Sequence, residues 1–449
     1  MRAHGATMPT YRIVTFGCKL NQADAVLIED RLRRLGLSRL QEGRGGEGAD
    51  LVIVNSCTVT ADADAAARQA ARRLRRENPN GLLIATGCYA ERDPEALRGP
   101  GRADHVVGLR DQGSRLMEIV AARFGLGFDP EGLDLSPFGA SGACDPPLLP
   151  AERTRAFLKI QDGCGLRCSY CVIPKVRGPS VSLPPEQLLS RIDRLIEAGV
   201  REIVLTGVNT GDYGRDLDPP TPLVRLLARA VDRPGLGRLR LNSLEPKTVT
   251  AGLIDHLAAR ADRIARHLQI PLQSGSDAVL QRMRRPYRIA DYARVVETLD
   301  RRIPGIGLGA DVIVGFPGET EQEFEATCRF VAASPLRYLH VFSYSPRPGT
   351  VAASAPGRVS APLIKERSAR LRALGLELTL RFRRSLLGRA LPILTLREIR
   401  PGGRLRALSD NFVDLDLDLE GRPAIDWVNR LLTARITAVG ETGTFAVLA

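Results

Sequence analysis

Short apolar runs alternate with amphipathic helical patterns along two long stretches of this chain, and this alternation limits the folds open to it. In the first stretch we expect strands at residues 11–16, 50–54 and 82–85 and helices at residues 21–35 and 61–77. Repeated strand and helix units form a parallel sheet covered by helices. The sequence therefore predicts an N-terminal α/β domain over residues 9–124.

The alternation stops and then resumes further along the chain. Residues 125–153 are rich in Gly, Pro and Asp and have no hydrophobic period, so they predict a linker, in which Cys144 has no partner motif. Six further strands are expected at residues 157–160, 202–206, 239–241, 267–272, 310–314 and 338–342. Six β/α units rather than eight predict a barrel that is open on one side, over residues 154–384, and that admits a bulky substrate.

The last part of the chain, residues 385–449, has a different pattern. A long basic helix at residues 364–384 leads into short alternating runs separated by glycines, which predict a small β-barrel. From Gly388 to the end, eight Arg are balanced by eight acidic residues. This domain is therefore neutral overall, in contrast to the rest of the chain.

The whole chain is basic, with a formal net charge of +13. Such a charge favours an anionic macromolecule as partner, and nucleic acid rather than a membrane, because no apolar anchor accompanies it. A genome whose base composition favours Arg codons is the alternative explanation for this charge. No N-terminal signal segment or membrane-spanning run is evident, so we expect a cytoplasmic protein with its eight cysteines reduced.

Three cysteines with the spacing C-x3-C-x2-C follow the first expected strand of the barrel. These residues, here called the motif trio, are Cys164, Cys168 and Cys171. Four thiolates would close a four-iron cluster, whereas three leave one iron that can take an exogenous ligand. The spacing therefore predicts a reactive iron-sulfur cofactor.

A second set of cysteines lies in the N-terminal domain. Cys18, Cys57 and Cys88, here called the N-terminal trio, each come just after an expected strand. A lone cysteine is more often a small buried apolar residue. However, loops at the carboxyl ends of parallel strands gather at one edge of a sheet, so we expect the three thiols to converge. Their shared position predicts a second cluster with an open iron.

These motifs resemble those of the methylthiotransferases, a radical S-adenosylmethionine (SAM) family that inserts sulfur and a methyl group at unactivated carbon. The resemblance covers nearly the whole chain: residues 15–22, 55–60 and 85–89 resemble the family's N-terminal domain, the motif trio resembles its SAM cluster, and the tail resembles the RNA-binding barrel called TRAM. Residues 205–211, 242–246, 270–276 and 340–350 are most similar to the branch acting on N6-threonylcarbamoyladenosine in tRNA, next to the anticodon.

The resemblance implies a set of cofactors and partners. These are two 4Fe-4S clusters, SAM, the anticodon arm of tRNA, and an electron donor such as flavodoxin or ferredoxin. One SAM would supply the methyl group that caps sulfur at the N-terminal cluster. Another, on the cluster of the motif trio, would yield the 5'-deoxyadenosyl radical that activates C2 of the base.

Candidate SAM contacts follow or lie on the later strands of the barrel. They are Gly207, Asn209, Ser243, Glu245, Gln273, Asp311, Val341 and Phe342. Gly207 would let the backbone approach SAM, Ser243 and Glu245 would bind its amino group or ribose, and the last two residues would offer adenine an apolar face. A turn without ligand, a surface charge, a structural polar network or core packing are the alternatives.

Candidate RNA contacts are Arg177 and a basic stretch near the expected mouth of the barrel. The stretch comprises Arg282, Arg284, Arg285, Tyr287 and Arg288. Arg guanidiniums suit phosphates, and Tyr287 could stack on a base. After Arg177 and Gly178 the family usually carries another Arg, which residues 179–182 of this chain lack.

Two other functions remain compatible with these motifs. The same chemistry could act on isopentenyladenosine in tRNA or on a ribosomal protein side chain, although a basic enzyme would repel a basic ribosomal protein. From another class, a non-catalytic iron-sulfur carrier or a zinc-bound RNA adaptor could use the cysteines, but it would leave the SAM-like positions without purpose.

Overall fold

A computed structural model of the chain describes residues 8–40, 48–129, 136–138, 154–441 and 443–449. By their contacts, residues group into two compact units. Of the described residues, the first unit comprises those within 1–148, 162–165 and 172–179, and the second comprises those within 149–161, 166–171 and 180–449. Most of the predicted linker, with Cys144, lies outside the described residues.

The first unit contains the predicted parallel sheet. Its strands are β1 (Thr10–Thr15), β2 (Ser38–Arg39), β3 (Leu51–Ser56), β4 (Leu82–Gly87) and β5 (His105–Val106), in the order β2-β1-β3-β4-β5. Its helices are α1 (Lys19–Arg34), α2 (Ala61–Glu77), α3 (Cys88–Arg92), α4 (Ser114–Phe124) and α5 (Ile173–Arg177). All strand pairs are parallel. The strand order reverses between β1 and β3, which is where open α/β sheets bind ligands.

The barrel part of the second unit has the six predicted strands. They are β6 (Arg155–Lys159), β9 (Glu202–Thr206), β10 (Arg238–Leu241), β11 (His267–Gln269), β12 (Gly307–Val314) and β13 (Tyr338–Ser343), and the two-residue strands β7 (Gln161–Asp162) and β8 (Val181–Ser182) lie between β6 and β9 in the sequence. The six strands form two parallel sheets, β10-β9-β6 and β11-β12-β13. An isolated parallel bridge pairs Leu239 of β10 with Ile264, which lies shortly before β11. The α/β class predicted for this region is confirmed.

Helices alternate with these strands, as the sequence predicts. They are α6 (Pro185–Glu197), α7 (Leu223–Val231), α8 (Ala251–Ala259), α9 (Asp277–Arg282), α10 (Ile289–Arg302), α11 (Glu321–Ala333) and α12 (Ala361–Arg384). Short 3-10 helices occur at Thr210–Asp212, Pro246–Thr248, Val351–Ser354 and Ala424–Trp427. The long helix α12 packs along β13 and leads into the C-terminal part of the chain.

The predicted C-terminal β-barrel is confirmed. Its strands are β14 (Ala390–Ile399), β15 (Leu405–Ser409), β16 (Asp414–Asp418), β17 (Leu431–Val439) and β18 (Thr444–Leu448), closed in the order β14-β15-β16-β18-β17. In β16, Leu415 and Leu417 are buried, whereas Asp414 and Asp416 are partly exposed and Asp418 is exposed. The alternating Asp and Leu therefore divide between the outside and the core of this barrel.

A buried ion network fixes the C-terminal barrel to β9 and β10 within the second unit. The Glu202 carboxylate, fully buried, pairs with Arg238 at 2.7 Å and with Arg240 at 3.0 Å. Arg240 also donates to the carbonyl oxygens of Ser409 (3.1 Å) and Asp410 (3.0 Å) in the barrel. Burial opposes the ionisation of Glu202, but the two guanidiniums outweigh it and lower its pKa well below the usual range.

Replacing Glu202 with Gln should lower the free energy of unfolding at pH 7 by about 3 kcal/mol, because it leaves buried guanidiniums without their counter-charge. A carboxylate with a lowered pKa stabilises the fold above its unfolded-state pKa, and this stabilisation is lost as pH falls towards the folded-state pKa. The difference in free energy of unfolding between variant and wild type, measured by urea unfolding, should therefore become smaller below about pH 4.3. The exposed Glu186, paired with Arg229, provides the control Glu186→Gln. An equal loss of free energy of unfolding in both variants would contradict the stabilising role of the buried network.

Candidate functional site

The N-terminal trio converges in the first unit. Cys18 follows β1 and caps α1, Cys57 follows β3, and Cys88 follows β4 and begins α3. The Sγ atoms of Cys18 and Cys88 lie 3.8 and 3.7 Å from Oδ1 of Asn21. A Cβ atom at Gly17, next to Cys18, would lie 2.7 Å from Sγ of Cys57. The structure thus brings the three thiols together at the strand ends, and their role as ligands stays a prediction.

Two glycines allow this close approach. Gly17 and Gly87 each precede a cysteine of the trio and have φ angles of 97° and 96°, which side chains other than glycine rarely adopt. A Cβ atom at Gly17 would collide with Cys57, and one at Gly87 would lie 2.6 Å from Oδ1 of Asn55. The backbone before each cysteine therefore has space only for glycine.

Replacing Gly17 with Ala should prevent iron loading at the N-terminal trio. The added Cβ must displace Cys57, which moves one thiol away from the other two. Gly36→Ala is a matched control, because Gly36 also has a positive φ of 90° but has open space where the Cβ would lie. Both variants should lose about 1 kcal/mol from the backbone strain, but only Gly17→Ala should lose iron after anaerobic reconstitution. Normal iron content in Gly17→Ala would show that the close approach is unimportant.

Arg177 and Asn21 form the polar surroundings of the trio. Arg177 donates to Oδ1 of Asn21 (2.8 Å), and its guanidinium pairs with Asp24 at 2.8 Å and with Asp162 at 3.0 Å. Asn21 in turn donates to the carbonyl oxygens of Phe16 and Ser56. This network joins the ends of β1 and β3 around the thiols.

Burial dominates the electrostatics of the two inner thiols. It raises the pKa of Cys57 to about 11, with a smaller contribution from Cys18. It raises the pKa of Cys88 to about 12, although Arg177 acts in the opposite direction. Burial alone would lower the pKa of Arg177, but the charges of Cys88, Asp24 and Asp162 raise it well above the usual range. Arg177 therefore supplies a permanent positive charge beside thiols that need one to ionise.

Arg177, which the sequence analysis predicts to contact RNA, is buried in this structure. Its side chain is 2% exposed and is held by two carboxylates of the first unit. A guanidinium in this position cannot reach a phosphate in solvent, because leaving its partners would strand two charges. No role was predicted from the sequence for Asn21, three residues after Cys18, which accepts from Arg177.

The motif trio is divided between the two units. Cys164 belongs to the first unit, where its N–H donates to the carbonyl of Gly178 at 3.1 Å. Cys168 and Cys171 belong to the second unit, where the N–H of Cys171 donates to the carbonyl of Cys168 at 3.2 Å. The tight turn between the last two cysteines follows from their two-residue separation.

Arg285 is the buried cation beside Cys168. It lies 3.2 Å from the Cys168 sulfur and also forms an ion pair with Glu245. Burial raises the pKa of Glu245, and Arg285 opposes this effect. With a side-chain exposure of 16%, Glu245 is not the surface charge that the sequence left as an alternative.

Only part of the predicted RNA stretch is available to a partner. Arg285 is buried against Cys168, and Tyr287 is 4% exposed, with its hydroxyl donating to the carbonyls of Pro271 and Leu272. Arg285 and Tyr287 are therefore buried, although the sequence analysis predicts that they contact RNA. Arg282 is exposed but pairs with Glu323. Arg284 and Arg288 are exposed, and their contact with RNA stays a prediction.

Gly207 and Asn209, after β9, pack against Gln161. A Cβ at Gly207 would lie 2.6 Å from Oε1 of Gln161, and this oxygen accepts the N–H of Asn209 at 3.0 Å. The glycine thus makes room for Gln161, a residue that sequence reasoning missed. Asn209 is buried, and its Oδ1 has no hydrogen-bond partner among the described residues.

Ser243 and Gln273 have left-handed backbones, with φ angles of 51° and 63°. Gln273 is 9% exposed, and its Oε1, like Oδ1 of Asn209, has no hydrogen-bond partner among the described residues. Buried acceptors are nearly always bonded in native proteins, so the two amide oxygens favour a bound donor such as an amino group. Their role as SAM contacts stays a prediction.

Val341 and Phe342 do not share a face of β13. Successive side chains of a strand point to opposite sides. Leu339 packs against Gly375 of α12, so this helix covers the side of β13 on which Leu339 lies. Val341 lies on that side, whereas Phe342 lies on the other and is 42% exposed. The apolar face predicted for both residues therefore belongs to Phe342 alone. Asp311 accepts from Gln269 at 2.8 Å, so it belongs to a polar network, which was the stated alternative.

The surroundings of the N-terminal trio fit an iron-sulfur cluster. In such a cluster each thiolate binds a different iron. The positive charge of Arg177 and the three convergent thiols suit an anionic cluster.

Two segments of the chain match models of protein families. Residues 10–108 match the model described as uncharacterized protein family UPF0004, and residues 158–331 match the radical SAM superfamily. Among the described residues, no helix is both long and apolar enough to cross a bilayer.

Several curated proteins resemble the chain over most of its length. Threonylcarbamoyladenosine tRNA methylthiotransferase MtaB of Bacillus subtilis is 38% identical over 82% of this chain and 80% of that protein. The protein of the same name from Thermotoga maritima is 34% identical over 86% of each. A tRNA-2-methylthio-N(6)-dimethylallyladenosine synthase from Syntrophotalea carbinolica is 32% identical over 96% of this chain and 97% of that protein.

Solved structures share the fold. The radical SAM methyltransferase TsrM from Kitasatospora setae, solved with cobalamin and a [4Fe-4S] cluster, has a TM-score of 0.53 at 18% identity and covers 77% of each chain. The cobalamin-dependent SAM radical enzyme OxsB has a TM-score of 0.51 at 12% identity over 82% of this chain and 56% of that one. At these identities the likeness concerns the fold alone.

Proposed function

Because this chain belongs to the methylthiotransferase family of radical SAM proteins, we propose that it inserts a methylthio group at C2 of N6-threonylcarbamoyladenosine next to the anticodon of tRNA. The observation that carries the proposal is the convergence of the N-terminal trio beside a buried Arg177, in a chain that also has the motif trio. A single cluster would serve radical chemistry alone, whereas a second open one gives external sulfur a place to bind.

Two 4Fe-4S clusters and SAM are the cofactors of this reaction. The N-terminal trio would hold one cluster and the motif trio the other, with SAM at the second. When bound, these groups supply one-electron cleavage of SAM at one cluster and sulfur transfer at the other.

The protein's own residues set the charge and the shape of both sites. Arg177 balances the N-terminal thiolates, and Arg285 lies beside Cys168. Asn209 and Gln273 offer buried amide oxygens to the amino group of SAM. Burial of Cys57 and Cys88 keeps water from the inner part of the N-terminal site.

The remaining partners follow from this activity. The relatives named above act on tRNA, and the net charge of +13 suits a polyanion. An electron donor such as flavodoxin or ferredoxin must supply the electrons. A cytoplasmic location and a TRAM-like role for the C-terminal barrel belong to the same proposal, as does the division into domains at residues 124, 153 and 384.

Mass spectrometry of tRNA nucleosides from a strain lacking this protein tests the substrate directly. We expect the 2-methylthio form of threonylcarbamoyladenosine to disappear, while its unmethylthiolated form accumulates. Loss of the methylthio form of isopentenyladenosine instead would assign the chain to the other tRNA branch. Unchanged tRNA nucleosides would exclude both and favour a protein substrate or a non-catalytic role.

A further inference from the structure

A line of hydrogen-bonded side chains crosses the sheet β11-β12-β13 of the second unit. Nε2 of His267 lies 2.7 Å from the Tyr338 hydroxyl, which donates to Oε1 of Gln269 at 2.6 Å. Nε2 of Gln269 donates to Oδ1 of Asp311 at 2.8 Å, and Nδ1 of His340 lies 3.1 Å from the same oxygen. The line therefore ends at His340, in the middle of β13.

His340 lies on the face of the sheet opposite α12. Leu339 packs against Gly375 of α12, and Oγ of Ser343 lies 3.3 Å from Oγ of Ser368 in the same helix. Because neighbouring residues of a strand point to opposite sides, His340 and Phe342 share the inner face of the sheet.

The inner face is filled at the amino-terminal ends of the strands. His267 stacks on Phe412, with ring centroids 4.2 Å apart, and Tyr338 lies nearly parallel to His267. Gly309 has no room for a side chain because Tyr338 and Gln269 occupy that space. His340, next on this face after Tyr338, has a side-chain exposure of 54%.

His340 offers one ring nitrogen to a ligand. Asp311 fixes the ring through Nδ1, and no atom of the described residues is hydrogen-bonded to Nε2. Phe342, two residues further along, lies about 7 Å away on the same face and is 42% exposed. A hydrogen-bonding imidazole beside an apolar ring suits a planar base that carries a polar substituent.

We propose that His340, positioned by Asp311, binds the carboxylate of the threonylcarbamoyl substituent of the base. This inference rests on the proposed function and adds the residue that selects the substrate. Carboxylates only accept hydrogen bonds, so this assignment requires a proton on each ring nitrogen, one for Asp311 and one for the substituent. An isopentenyl substituent offers no acceptor to Nε2 of His340, so it would gain nothing from this contact.

Kinetics on two synthetic anticodon-arm RNAs test the proposal with the reconstituted holoenzyme. One RNA carries threonylcarbamoyladenosine, and the other carries the methyl ester of its carboxylate. Because hydrogen bonds to charged groups are the strong ones, wild type should show a KM about 10- to 100-fold higher for the ester RNA, with a similar kcat. His340→Phe should raise the KM for the acid RNA by the same factor and remove the difference between the two RNAs.

Controls separate this proposal from the function on which it rests. The circular dichroism spectrum and the iron content of His340→Phe should match those of wild type, which shows that the variant is folded and loaded. His105→Phe makes the same exchange on the exposed strand β5 and should leave both KM values unchanged. A wild-type enzyme that uses both RNAs equally well, or a His340→Phe enzyme that still distinguishes them, would overturn the assignment of His340. A wild type inactive on the acid RNA would instead refute the proposed function.

Discussion

Replacing Cys57 with Ala is expected to abolish methylthiolation of tRNA while reductive cleavage of SAM to 5'-deoxyadenosine continues. Cys57 is buried just after β3, where Cys18 and Arg177 act on its pKa. Its loss leaves two thiols at a site where three thiolates are needed to hold the cluster. The motif trio is untouched. Single-turnover assays should therefore show SAM cleavage near the wild-type rate and no methylthio nucleoside, and Cys18→Ala and Cys88→Ala should behave in the same way.

Cys328 provides the matched control for these variants. It lies on α11 in the second unit, partly buried and away from either trio in sequence. Cys328→Ala should retain both activities and the full iron content. Loss of SAM cleavage together with methylthiolation in Cys57→Ala would show that the N-terminal cluster is structural.

Replacing Arg177 with Met should both destabilise the first unit and empty the N-terminal site. The change leaves Asp24, whose side chain is 2% exposed, and Asp162 without their buried counter-charge. Breaking a buried pair in this way costs about 3–5 kcal/mol of folding free energy. It also removes the positive charge that favours ionised thiols at Cys88. Thermal unfolding of the protein and its iron content after reconstitution measure the two effects.

Two further variants separate these effects. Arg177→Lys keeps the charge but cannot donate to Asn21, Asp24 and Asp162 together, so it should retain part of the iron and part of the stability. Arg115→Met removes the exposed partner of Glu118 and should change neither quantity measurably. An Arg177→Met protein with full iron content and wild-type stability would exclude the role assigned to Arg177.

The convergence of the N-terminal trio could be predicted because topology alone determines it. Cys18, Cys57 and Cys88 follow three parallel strands, and parallel strands place their carboxyl ends at the same edge. No side-chain contact had to be known. The six barrel strands could also be predicted, because each is a short apolar run between helical patterns.

The roles of Arg177 and Arg285 could not be predicted, because a buried Arg and a surface Arg look alike in a sequence. What distinguishes them is a set of partners far away in the chain, such as Asp24 for Arg177 and Glu245 for Arg285. Their guanidiniums, which suit phosphates, suggested RNA instead. Each proved to be the buried cation beside a cysteine thiol.

The neutrality of the C-terminal barrel has a similar explanation. Arg400 pairs with Asp414 and Asp416 at 2.6 Å, and Arg406 pairs with Asp414 at 2.9 Å. These Arg residues are therefore compensated within the barrel itself. The sequence gives the balance of charges, but only the register of β14, β15 and β16 shows which charges meet.

Iron and sulfide analysis with Mössbauer spectroscopy of the anaerobically reconstituted protein tests the central claim most directly. Two four-iron clusters predict about eight irons per chain. A protein with all three residues of the N-terminal trio replaced by Ala should retain about half of this iron, with the spectrum of a single cluster. A wild-type protein that binds only one cluster, or a triple variant with undiminished iron, would contradict two separate three-cysteine sites.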